Sequence, residues 1–132
     1  AFGKGISRQA FGIFPKVREV DRQMTPGMQR QIVEVHPEGS FWVMNRGQPM
    51  ETSKKRTAGF EARRDLLRSC LPLDVPETRR DARLLAPFAG ADDLLDALAA
   101  AWTARRYAEG VAMQLFAEPS IDADGLRMKI VL

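Results

Sequence analysis

Apolar positions recur along the chain at helical spacing in five stretches and at strand spacing in two. From Arg8 to about Met24 the line Phe11, Phe14, Val17 and Val20 marks one face of a helix, with Ser7 as its cap. Pro15 either kinks that helix or begins it, and Thr25-Pro26-Gly27 ends it. Gln31 to His36 reads as a strand, because Ile32, Val33 and Val35 are β-branched and Pro37 stops the ladder. Pro37 to Asn45 starts a short helix with Pro37 at N1, burying Phe41, Trp42 and Met44. Further helices are expected over Ala58 to Cys70, Glu77 to Leu85 and Ala91 to Arg106. The polar stretch Glu118 to Gly125 is a loop, and Leu126 to Leu132 alternates as a closing strand.

The segment Ala91–Arg106 carries the strongest signal. Alanine and leucine dominate, no Gly or Pro interrupts, and arginines come last. At about 100° per residue Leu94, Leu98 and Trp102 share a face with Leu95 at its border. Asp92, Asp93 and Asp96 crowd the first turn and a half of the other side, beside Ala97, Ala100 and Ala104. One acid suffices to cap a helix, and Asp92 is the natural candidate. Asp92 and Asp96 are like charges four apart, which costs an isolated helix a few tenths of a kcal/mol. A bound cation would offset that cost.

A chain of 132 residues with 45% hydrophobic and 28% charged residues is expected to form a single folded domain over 1–132. No apolar run is long enough to span a membrane, so no membrane partner is expected. Cys70 stands alone, which makes a reducing, cytoplasmic setting the default. One cysteine and one histidine, His36, exclude a Cys/His zinc site. Any metal would be held by oxygens, and magnesium or manganese fits that donor type.

The net charge of +3 is uneven: residues 1–56 carry +5 and residues 57–132 carry −2. Ser53-Lys54-Lys55-Arg56-Thr57 is a compact basic loop before a helix, able to hold phosphate or simply to be a solvated turn. Glu34 lies mid-strand among apolar neighbours. It is therefore either a buried, partnered carboxylate or an edge residue facing water. No nucleophile elbow and no Gly-rich phosphate loop after a strand is present. Acids from separate elements, Glu34 with Asp92, Asp93 and Asp96, are the material of two-metal phosphodiester hydrolysis. A hydrolase pairing Glu34 with His36 ranks lower, for want of a pocket-forming motif.

The segment Val33-Glu34-Val35-His36-Pro37-Glu38 with Phe41-Trp42 resembles the E-V-(Y/H)-P-E pattern of RNase H-like nucleases catalogued as a domain of unknown function, DUF429-type. Ser7-x-Gln9-Ala10-Phe11, Pro15-Lys16-Val17-x-Glu19-Val20-Asp21, Ser53-Lys54-Lys55, Asp93-x-x-Asp96-Ala97-Leu98 and Gly125-Leu126-Arg127-Met128 are similar to its other blocks, in order. The Asp-Ala-Leu-Ala helix also looks like the last acid-bearing helix of Holliday-junction resolvases. The resemblance implies an α/β, partial RNase H-like fold with helices packed on a short mixed sheet. It implies metal-dependent cleavage of nucleic acid, with Glu34, Asp93 and Asp96 as catalytic acids and ligands of Mg2+ or Mn2+. Lys54, Lys55 and Arg56 are then the nucleic-acid contacts. Asp96 is preferred over Asp92 because it sits in the matching block. The alternative is a non-catalytic nucleic-acid-binding or structural module using the same three basic residues. The family opens on a strand bearing a first catalytic Asp, for which nothing before Ser7 is a counterpart. The chain, starting at Ala1, is thus expected to be the C-terminal portion of such a domain, with a truncated sheet edge that favours self-association.

Overall fold

The computed structural model describes residues 5–132. The first four positions of the loop expected over residues 1–8 lie outside the described residues. The architecture is mixed α/β, in the order α1 (Arg8–Asp21), β1 (Glu34–Val35), α2 (Pro37–Met44), α3 (Thr57–Cys70), α4 (Arg79–Leu85), α5 (Ala91–Ala108) and β2 (Ile130–Val131). Among the described residues no helix is long and apolar enough to cross a membrane. The residues group into two compact units, 5–32 with Pro119–Met128, and Val33–Glu118 with Lys129–Leu132.

In the first unit α1 begins at Arg8, directly after Ser7, and runs through Pro15 rather than starting there. It ends at Asp21, three residues short of the expected limit. Its apolar line Phe11, Phe14, Val17 and Val20 is exposed, Phe11 to 70%. A 3-10 turn (Met28–Arg30) follows, and the Ile32 amide closes onto the Met28 carbonyl at 2.9 Å. That turn consumes the first part of the expected strand. The other end of the unit is a tight turn in which Asp122 Oδ1 accepts the amides of Asp124 (3.0 Å) and Leu126 (2.8 Å). Gly125 sits there at φ +81°, a backbone region that side chains disfavour. Arg127 then pairs antiparallel with Ile121 and exchanges hydrogen bonds with the Gln29 side-chain amide, at 2.9 and 3.0 Å. The closing strand is thereby confined to its last residues instead of starting at Leu126.

In the second unit β1 and β2 pair in parallel, Glu34 opposite Ile130 and Val35 opposite Val131. Met113 and Leu115 add an antiparallel edge, donating to the carbonyls of Leu132 and Ile130 at 3.0 Å each. Counting that edge, the sheet is short and mixed, as the resemblance implied. His36 caps α2, with Pro37 in its first turn where a missing N–H costs nothing.

Three helices, α2, α3 and α4, pack around α5. Because α5 is covered from several sides its buried arc is wider than one stripe. Ala91, Leu95, Ala99, Trp102 and Thr103 are buried, while Leu94 and Leu98 only border the core. The expected centre of that face, Leu94–Leu98, is thus displaced by one residue. Small residues let α2 and α5 approach closely enough that Ser40 and Thr103 share a fully buried hydroxyl hydrogen bond of 2.7 Å. Phe41 and Met44 enter the core as expected, beside Phe60, Leu67, Leu71 and Val75. Trp42 does not. It lies 38% exposed against the Arg46-Gly47 turn, whose Gly47 amide bonds the Trp42 carbonyl at 2.9 Å.

Candidate functional site

Polar groups concentrate where the loop 51–56 crosses α5, and the path of that loop is fixed by three contacts. Gly59, in the first turn of α3, is buried under it, so that a Cβ there would lie against the Ser53 carbonyl oxygen with Thr52 O 2.8 Å away. Arg63, one turn further along α3, is 3% exposed and donates to the carbonyls of Thr52 and Gly59, each at 2.9 Å. Arg79, from the first turn of α4, donates to the Lys54 carbonyl while its guanidinium stacks over Phe60, 5.0 Å from the ring centre.

The clamped loop delivers Lys54 Nζ to Asp96 Oδ2, an ion pair and hydrogen bond spanning 42 residues of sequence. The same Arg63 forks onto Glu38 in the first turn of α2, Nε to Oε1 at 3.2 Å and Nη2 to Oε2 at 2.7 Å. Bidentate geometry of this kind is the strong form of a charged hydrogen bond. Its guanidinium also lies 5.5 Å from the centre of the Phe41 ring. Lys55 and Arg56, neighbours of Lys54, are exposed and form no ion pair among the described residues.

Asp96 is the electrostatic centre. Burial pushes its carboxyl above the ordinary aspartate value, the Lys54 hydrogen bond and charge oppose this, and the like charges of Glu38 and Asp92 push it up again. Its Oδ1 is buried and has no hydrogen-bond partner among the described residues. A carboxyl displaced upward gives a definite sign to stability. Between the ordinary aspartate value of 3.8 and its folded value, the native protein keeps a proton that the unfolded chain has lost. The associated stability is complete below the unfolded value and is lost as pH rises through the folded one. Asp96→Asn is therefore expected to melt at a higher temperature than wild type at neutral pH. That advantage should vanish below the ordinary aspartate range. Thermal melts across that interval check it, and a variant less stable at neutral pH would refute it.

The acids singled out from sequence occupy different surroundings. Asp96 lies in this cluster. Asp93 is exposed, and its Oδ2 accepts the Gly90 amide at 2.8 Å, closing the N-terminus of α5. The capping role expected of Asp92 thus belongs to Asp93. Counting from the N-cap Gly90, Asp93 is the third helical residue, whose side chain reaches back to the cap amide. Asp92, freed of that duty, is half-buried and acts on Asp96. Glu34 is exposed on β1, the solvent-facing one of its two open readings. Among the described residues no three of the His, Cys, Asp and Glu side chains are grouped so as to hold a metal ion. A hard divalent cation needs several oxygen ligands. Here Asp93 serves an amide, Glu38 serves Arg63, and Asp96 Oδ1 is the one buried carboxylate oxygen without a partner among the described residues. Asp96 fits a ligand; the set does not compose a two-ion centre.

A family model described as Protein of unknown function (DUF429) matches residues 1–121. The chain belongs to that family. No curated protein and no solved structure matches it. In this DUF429 member the sequence-based reading missed Glu38, Gly59, Arg63 and Arg79. For two of them a signal was present. Gly59, Phe60, Arg63 and Leu67 recur at helical spacing, which sets an arginine on the buried stripe of α3. An arginine there demands a carboxylate partner. Glu38 stands just after Pro37, inside the very segment that carries the family resemblance.

Proposed function

We propose that this DUF429 chain is an RNase H-like nuclease domain that meets the phosphodiester backbone of nucleic acid where the loop 51–56 crosses α5. The observation that carries the reading is the juxtaposition of Lys54, from the basic loop, with the half-buried Asp96 of the acid-bearing helix. Asp96 is kept at a cost. Burial and two like-charged neighbours disfavour its ionised form, and carboxylates retained against such costs are candidates for function. Lys55 and Arg56, exposed beside it, supply further positive charge for backbone phosphates.

In the hydrolytic part of the reading Asp96, whose buried Oδ1 has no partner among the described residues, would be the ligand for magnesium or manganese. When bound, such an ion supplies charge stabilisation and an activated water. Asp93 would have to leave the Gly90 amide to take part.

A second reading, a non-catalytic nucleic-acid-binding module, is favoured by the engagement of Asp93 and Glu38 in bonds of their own. One experiment separates the two. A labelled oligonucleotide, single-stranded and duplex, is incubated with the protein in Mn2+ or in chelator, and both retention and cleavage are scored. The nuclease reading expects Mn2+-dependent cleavage that Asp96→Asn abolishes. Salt-sensitive binding without cleavage, unchanged by chelation, supports the module. Absence of both retires the two readings together.

A further inference from the structure

The Lys54 ammonium is the one element of the cluster that can change partner. Its backbone is held, the carbonyl by Arg79 and the preceding turn by Arg63 and the close approach of Gly59. Its side chain keeps 29% of its surface exposed while its tip rests on Asp96 Oδ2. Lysine is a compact point charge on a flexible stem and serves carboxylate and phosphate oxygens equally well. Its two exposed neighbours offer their charges to solvent, whereas Lys54 spends its charge inside the protein.

We propose that Asp96 is an internal competitor for Lys54: the carboxylate occupies the place on the ammonium that a nucleic-acid phosphate takes, and binding proceeds by exchanging one anion for the other. The proposal rests on the reading that this loop contacts phosphodiester backbones, and it concerns how that contact is regulated. Two consequences follow from the exchange. Asp96 loses its ammonium only when a phosphate is present, so the acid is released by the substrate itself. The Lys54–phosphate contact also adds less to affinity than a free lysine would, because the Asp96 contact is given up to make it.

Counterion release sets the size of the effect. Each phosphate neutralised adds about 0.7 to the salt slope on single strands and about 0.9 on duplex. At about 0.1 M salt one recovered contact amounts to roughly five- to tenfold in affinity. Fluorescence anisotropy of a labelled oligonucleotide, in chelator throughout so that cleavage plays no part, reads this directly.

Asp96→Asn is expected to bind about five- to tenfold more tightly than wild type, with a salt slope steeper by nearly one unit. Lys54→Gln alone is expected to weaken binding by less than the five- to tenfold of a free lysine, because the phosphate contact it removes already carries the cost of displacing Asp96. In the Lys54→Gln background the gain from Asp96→Asn is expected to disappear. A gain of equal size in both backgrounds would mean a general charge effect, and would overturn the competitor. Wild-type binding unchanged by Asp96→Asn overturns the competitor and leaves the phosphodiester reading standing. Failure of both wild type and Asp96→Asn to bind overturns the two together.

Discussion

Gly59→Ala is expected to destabilise the protein by about 2–3 kcal/mol, the upper part of the range for forcing an extra carbon into a closed contact. In a chain of 132 residues that lowers the melting temperature by about 10 °C. The sign is the informative part, since alanine in a helix ordinarily gains up to about 1 kcal/mol over glycine. At Gly59 the new carbon meets Ser53 and Thr52 main-chain atoms, which cannot rotate away as a side chain would. The loop must then lift from α3, taking Lys54 with it. Gly12, in the middle of α1, offers the internal control, because a carbon added there meets nothing within 4 Å. Gly12→Ala should therefore keep or raise the helicity of α1 in far-ultraviolet circular dichroism while Gly59→Ala unfolds early in urea. If both alanines acted alike, the close approach would not be what holds the loop.

The helices were legible because their period is long and repeated. Thr57–Cys70 and Ala91–Ala108 stand within two residues of their expected ends, since capping and breaker residues flank an apolar stripe of several turns. The strands were not, and the reason is local. Ile32, although β-branched, is claimed by the turn that follows Met28, and Leu126 by the side-chain bonds of Asp122. Both are short-range hydrogen bonds from residues outside the apolar pattern, to which a period-2 reading is blind. A two-residue parallel pair such as Glu34–Val35 with Ile130–Val131 also leaves too few positions for alternation to show.

The site divides along the same line. Asp96 was visible as an acid beside a clustered helix N-terminus, and Lys54 as part of a basic run. That the two meet was not visible, because 42 residues and the path of a loop separate them. The path depends on Gly59 and Arg63, whose roles are defined by backbone carbonyls and not by any motif. Asp92 and Asp93 show a finer limit. The N-cap falls at Gly90, two positions before Asp92, and that offset gives Asp93 the cap amide and leaves Asp92 to act on Asp96.

Arg63 carries the largest expected loss. Its guanidinium satisfies two backbone carbonyls and both oxygens of Glu38 while 3% exposed, so its removal strands several partners at once. Breaking a buried charge pair from one side costs about 3–5 kcal/mol. Glu38 is 37% exposed and regains some water, which places Arg63→Ala at about 3 kcal/mol, the lower end of that range. Arg63→Lys keeps the charge yet cannot reproduce the fork, because one ammonium cannot reach a carboxylate edge-on and two carbonyls together. It should recover only part of the loss. Glu38→Gln keeps an acceptor for the fork and leaves the carbonyl bonds intact, so it should cost about 1 kcal/mol, the scale of one net hydrogen bond. The order Arg63→Ala, Arg63→Lys, Glu38→Gln in urea midpoints is thus the expected result. Equal losses for Arg63→Ala and Glu38→Gln would assign the arginine to its carboxylate alone, and the Thr52 and Gly59 carbonyls would have no part in holding the loop. With the graded order, Arg63 is the residue through which α2, α3 and the Lys54 loop are held as one piece. Asp96 then meets its lysine because a buried arginine two elements away fixes the backbone that carries it.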